Sequence, residues 1–261
     1  MADSPQSIPE AWAMLQNELD LWVESGKTAT FWWRDDDAVE ETPQIQLLDR
    51  LSRDMEVPVS VAVIPAVMHD SLVQFLHQRE NFTVIQHGYS HRSYALKAAK
   101  KIELGGDRSC DEIEAELDSG RRLLSTAFGE QFIPVLVPPW NRIESRIYST
   151  LASAGFSGIS SIWVRETAYP VKGLLQVNTH LDPVNWYHDR GFIGETNAIG
   201  QIHQHLCARR QAGGDISEPT GILTHHLIQN DQVWAFCRTL FDTLNRHPAT
   251  RWLNAREIWA V

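Results

Sequence analysis

A chain of 261 residues, 43% hydrophobic and 21% charged, carries enough apolar material to bury a large core without disulfides or a structural metal, and one domain over residues 1–261 is expected. Its 23 basic and 33 acidic side chains leave a formal net charge of −10, a field that repels phosphate backbones and argues against a nucleic-acid partner. Cys110, Cys207 and Cys237 show no CxxC spacing, Met1–Trp22 has no basic-then-apolar leader, and no run of about 18 apolar residues exists; reduced thiols, no membrane span and a cytoplasmic location are the expectation.

Taken in order, Pro9–Glu24 has helical apolar spacing (Trp12, Leu15, Leu19, Val23) and stops near Gly26; Thr28–Trp33, β-branched and aromatic, predicts a strand. A helix over Pro43–Met55, a strand over Val57–Ile64, a helix over Asp70–Arg79 and a strand over Phe82–Gln86 follow. Gly88–Arg108 is irregular and predicts a long loop. Then come a helix over Cys110–Phe128, a strand over Phe132–Val137 halted by Pro138-Pro139, a helix over Ser145–Ala154 and a short strand over Phe156–Ser160. Leu174–Asn178 predicts a strand, Glu195–Arg210 a helix, Thr220–Thr224 a strand and Asp231–Arg246 a closing helix. Such alternation argues for a parallel sheet with helices outside it, more a barrel than a doubly wound sheet.

The polar residues hardest to explain structurally fall just after the predicted strands: Arg34–Asp37, His87–His91, Pro138–Arg142, His180–Trp186 and His225-His226. In parallel α/β proteins these strand ends surround the ligand site. Three adjacent aspartates repel one another unless a cation or proton relieves them, although alone they would serve as helix caps. His87 and His91, at i and i+4, would share one face of a helical turn and suit one metal, although HxxxH alone is a weak signal among 11 histidines. One Asp and two His leave positions open for water and substrate. His225 or His226 at the mouth would be placed to pass a proton to a leaving group. His203 and His205, on a predicted helix, suggest surface or structural roles.

In order over about 200 residues, these segments resemble the polysaccharide deacetylase (NodB-homology, carbohydrate esterase family 4) superfamily. Trp33-Arg34-Asp35-Asp36-Asp37 is similar to its T-F-D-D-G motif, His87-Gly88-Tyr89-Ser90-His91 to its HxxxH-type motif, Val137-Pro138-Pro139-Trp140 to R-x-P-[YW], Asp182-Pro183-Val184-Asn185-Trp186 to D-x-x-D-W, and Leu223-Thr224-His225 to its last motif. The resemblance implies an α/β fold, a distorted (β/α) barrel with seven strands, and hydrolytic removal of an acyl group, acetyl first among them, from an N-acyl or O-acyl compound, with sugars among the candidates. Carried over by position, Asp35 is the general base, Asp36, His87 and His91 hold the metal, and His225 is the general acid. The metal is usually zinc, with cobalt, manganese or iron as alternatives. Trp140 and Trp186 would wall the pocket, with Asp182, Arg142 and Arg34 contacting substrate.

Three departures stand out. Val137 replaces the third-motif arginine, so Arg34 or Arg142 would have to hold the base. Asn185 replaces an acid, leaving Asp182 to tune His225. Asp37 stands where Gly is usual, so Asp36 and Asp37 would serve equally as base and ligand. A non-haem Fe(II) enzyme using the same donor set, and a silent barrel kept for ligand binding, are the competing readings.

Overall fold

The structure, a computed structural model, describes residues 7–96, 99–186, 188–211 and 214–260; Met1–Gln6 of the N-terminal stretch and Lys97-Ala98 of the long loop lie outside these. The elements are α1 (Ile8–Glu24), β1 (Ala29–Ala38), α2 (Pro43–Met55), β2 (Val59–Val63), α3 (Asp70–Leu76), β3 (Phe82–His87), α4 (Cys110–Phe128), β4 (Phe132–Val137), α5 (Tyr148–Ser153), β5 (Gly158–Ile159), β6 (Leu175–Gln176), α6 (Glu195–Arg210), β7 (Thr220–Thr224), α7 (Asp231–Arg246), β8 (Thr250–Trp252) and α8 (Ala255–Trp259). Helix starts follow local chemistry. Thr42 caps α2 ahead of Pro43, Ser109 and Glu112 form a capping box on α4, and Asn230 caps α7.

The parallel strands run β6-β5-β4-β3-β2-β1-β7, with β8 beside the start of β1. Every residue of β2 and of β7 is buried, as expected of strands covered on both faces. The ring closes through isolated bridges, Ile162 with Thr179 and Leu181 with Ile222, so the segment after β6 meets both β5 and β7. This is the α/β distorted barrel expected, with seven strands in the ring. Among the described residues, no helix is long and apolar enough to cross a membrane.

Strand β1 sets the layers. Phe31 and Trp33 face the helices, Trp33 against Phe241 of α7, whereas Trp32 packs inside with Ala62, Ile85 and Val135. Trp259 of α8 meets Trp32 edge-on at 5.4 Å and plugs the barrel floor. Neither β8 nor α8 is foreseen from periodicity, because three and five residues are too short to show one. The larger correction is the length of β1. It runs to Ala38, so Arg34–Asp37 lie within the strand, not after it.

Candidate metal centre and active site

Alternation along β1 decides where the acids go. Arg34 and Asp36 share the inner face with Trp32, and Asp35 shares the outer face with Trp33. Asp35 is fully buried there. Its Oδ2 accepts the Thr224 hydroxyl (2.6 Å) and the His226 N–H (3.1 Å), and its Oδ1 lies 2.5 Å from His226 Nδ1. Asp35 therefore clamps the turn after β7 and does not face the mouth.

Asp36 is not beside the histidines either. Arg34 Nη2 donates to its Oδ2 (3.0 Å), and Arg34 Nε sits 2.9 Å from its Oδ1, a close ionic contact rather than a well-directed hydrogen bond. The guanidinium also donates to Ser160 Oγ (2.7 Å), the Ser161 carbonyl (3.1 Å) and Asn141 Oδ1 (2.8 Å). Of the two arginines expected to hold an acid, Arg34 does so, on Asp36 of its own strand. Arg142 instead donates to the Lys101 carbonyl (3.1 Å). His225 Nε2 approaches Asp36 Oδ2 at 4.0 Å.

Asp37 is the acid that meets His87 and His91. A break in the β1–β2 register between Asp35 and Ala38, with φ of 72° at Asp37, swings its side chain to the mouth. Asp37 Oδ1 lies 3.1 Å from His87 Nε2 and 3.3 Å from His91 Nε2. The acid beside His87 and His91, expected at Asp36, is therefore Asp37, one residue on, and these three form the candidate metal trio.

The trio fits a cation. His87 Nδ1 is 3.0 Å from the Val137 carbonyl, which only accepts, so Nδ1 carries the hydrogen and Nε2 turns a lone pair toward a carboxylate. Two acceptors face each other unless a second proton or a cation lies between them. Burial works against a charged His87, but Asp37 and Asp36 outweigh it and raise its affinity for a proton. Burial likewise pushes Asp37 up, and its bond to His87 with the charges of His87, His225 and His91 brings it well below the carboxylate range.

His87 and His91 do not share a helical turn. His87 ends β3, and the chain winds through Gly88 (φ 52°) to His91 (φ 54°) around the buried Glu103. Glu103 Oε1 accepts the Tyr89 and Ser90 N–H groups (3.0 and 2.9 Å), and Oε2 accepts that of His91 (3.1 Å). A Cβ on Gly88 would collide with Glu103 Oε2 and Pro139. Gly88→Ala is therefore expected to loosen the loop and weaken metal retention by about 10–100-fold, read by chelator competition. Trp140 and Asn141 also hold left-handed backbone (φ 55° and 54°), so strain gathers at this mouth as it does at functional sites.

Trp140 packs on His91 with ring centres 4.5 Å apart. Across the mouth Trp186 meets His225 edge-on at 4.7 Å and donates its Nε1–H to Asp182 Oδ2 (2.7 Å). Burial pushes Asp182 up, against the pull of His225. The sequence left Asp37 open as the ligand-side acid beside the preferred Asp36, and it gave no sign of Glu103, Asn141 and Ser160. Only Asp37 had a local signal, the alternation of β1 continued past Trp33.

Two other clusters carry metal-ligand atoms. In Glu18–His203–Cys207, Glu18 is taken by Arg210 and Trp22. Burial and Glu18 push the Cys207 thiol up to about 12, so it stays a protonated donor. In His180–His205–Glu218, the Gly221 N–H donates to His180 Nδ1 (3.0 Å), so the neutral ring carries its hydrogen on Nε2 and offers no lone pair toward Glu218. His180 thus turns away from the mouth and stacks on His205 at 3.4 Å.

That stacked pair titrates far down. Burial, then the charges of Arg209 and Arg165, lower His180 to about 3. Burial, then His180 and Arg209, lower His205 to about 2 against Glu218 and Asp215. Unfolded histidines take protons near pH 6.5 and these folded ones do not, so stability is full above that pH and falls as pH drops toward 3. Two such rings give a limiting slope of about 2.7 kcal/mol per pH unit, offset in part by Glu218, which burial pushes up. Urea midpoints between about pH 7 and 5 should show it, and His205→Gln should remove about half.

No protein-family model matches the chain, and no curated protein does. Solved structures do. A candidate polysaccharide deacetylase from Mycobacterium smegmatis superposes with a TM-score of 0.66 at 16% identity, covering 90% of each chain. A family 4 acetyl xylan esterase from Clostridium thermocellum, bound to cobalt, gives 0.56 at 11% identity over 88% of this chain and 90% of its own. A family 4 pseudoenzyme from Bacillus anthracis gives 0.54 at 12% identity over 89% of this chain and 66% of its own.

Proposed function

We propose, for a chain that has the fold of the polysaccharide deacetylases and family 4 carbohydrate esterases, that it is a metal-dependent hydrolase removing an acyl group, acetyl first among them, from an N-acyl or O-acyl sugar or a related small molecule. The observation that carries this reading is one mouth holding the Asp37–His87–His91 trio, the Arg34–Asp36 pair and His225. A silent barrel would have no need of a buried arginine locked onto an acid beside two histidines whose ring nitrogens converge on a carboxylate. The parallel barrel also speaks against the Fe(II) oxygenase reading.

Asp37, His87 and His91 would hold the ion, and zinc suits two imidazoles and a carboxylate. A bound divalent ion supplies Lewis-acid chemistry, polarising an acyl carbonyl and acidifying water. Asp36 Oδ2 accepts the proton of the attacking water, and Arg34 keeps that carboxylate aimed. His225 Nε2, beside Asp36 and braced by Trp186, returns a proton to the departing amine or alkoxide. Asp182 holds the Trp186 indole on that side of the mouth, and Trp140 and Trp186 wall the substrate.

The test is metal analysis of the purified chain with hydrolysis of N-acetyl and O-acetyl sugars. About one divalent ion per chain and chelator-sensitive release of acetate are expected. Protein that neither retains nor responds to zinc, cobalt or manganese across such a panel would sink the reading.

A further inference from the structure

The chain is acidic overall, yet one wall of the mouth is basic. Lys101 Nζ stands 5.6 Å over the centre of the Trp140 ring, the same ring that packs on His91. Arg142 is tied to that spot through the Lys101 carbonyl. Arg92 follows His91 directly and lies over Tyr94 at 5.5 Å. Two other arginines of these loops are neutralised: Arg108 pairs with Glu116 at 2.7 Å and Arg146 with Glu144 at 2.7 Å. Arg92, Lys101 and Arg142 have no carboxylate partner among the described residues, and Lys101 and Arg92 are exposed. The carboxylates of the mouth lie elsewhere. Asp36 is held by Arg34, Asp37 faces the histidines, and Asp182 belongs to the Trp186 wall.

Lys101 and Arg142, two basic side chains left without a carboxylate on a chain of net charge −10, make a local positive field that attracts an anion. Lys101 at the Trp140 ring, which itself packs on His91, sets that anion beside an acyl group held at Asp37, His87 and His91. We propose that Lys101 and Arg142 form an anion subsite, so that the preferred substrate carries a carboxylate or phosphate next to the acylated unit. This rests on the deacylase reading of the mouth. Trp140 gives the ring a face to lie on, and the guanidinium and ammonium groups read the oxyanion at its edge.

The experiment compares N-acetylglucosamine, its 6-phosphate and its uronate as substrates, at low and high salt, in the wild-type chain and in Lys101→Ala/Arg142→Ala. One or both anionic compounds should show a KM about tenfold lower than the neutral sugar, with the advantage shrinking at high salt and in the double variant. Preference for the phosphate or the uronate alone identifies the source of the oxyanion. Equal KM values for all three at low salt, or a preference untouched by the double variant, would overturn the subsite. Calorimetry with glucosamine and glucosamine 6-phosphate separates the two readings. If no acyl compound is hydrolysed, salt-sensitive binding of the phosphate that the double variant weakens still supports the subsite, and equal binding of the two removes it.

Discussion

Asp37→Ala protein is expected to emerge without its divalent ion and without chelator-sensitive hydrolysis, while Asp36→Asn keeps the ion and loses roughly 10²–10⁴-fold in kcat. The contrast follows from β1. Asp37 Oδ1 lies within 3.3 Å of both histidine Nε2 atoms, so its loss removes the carboxylate that both rings share. Asp36 touches Arg34 and approaches His225, so its amide analogue preserves shape but cannot accept a proton. Asp35→Asn belongs to a third class. With its bonds to Thr224 and His226, its effect should fall on stability, by about 1–3 kcal/mol. Metal content, kcat and urea midpoint measured together on the three variants check the assignment. Loss of metal in Asp36→Asn with retention in Asp37→Ala would reverse it.

Arg34→Met should be the most damaging single change outside the trio. The guanidinium is fully buried and ties β1 to Asp36, Ser160, Ser161 and Asn141. Removing it leaves a buried carboxylate unpaired, which costs about 3–5 kcal/mol. Hydrolysis should fall as well, since Asp36 loses what orients it. Adding Asp36→Leu to Arg34→Met should recover part of the stability and none of the activity, because the stranded charge is gone but so is the base. A double variant no more stable than Arg34→Met would show that the ion pair is not what holds this side of the mouth. Arg142→Met, exposed at the rim, should cost little in stability by comparison.

Much of the site is legible in one dimension. His87, His91, Trp140, Asp182, Trp186 and His225 stand at strand ends, and the structure gathers them at one mouth. The acid register was not legible. Ending the strand at Trp33 put Asp35, Asp36 and Asp37 on an unassigned turn, where any two would serve. Glu103 was hidden for another reason: it comes from a loop of Lys, Gly and Ser, and nothing local distinguishes an acid that folds under three backbone N–H groups from one left in solvent.

By itself, then, the sequence determined the order of strands and helices up to α7, the parallel α/β barrel and the place of the two histidines after a strand, because apolar periodicity and strand-end chemistry are properties of neighbouring residues. Tertiary structure alone decided which aspartate meets those histidines, which arginine holds the acid beside them, and that His180 turns outward to His205. The first two depend on a register slip between two strands, a left-handed residue and a contact across more than a hundred positions, the third on the Gly221 N–H that meets His180 from β7, and a linear pattern carries none of them.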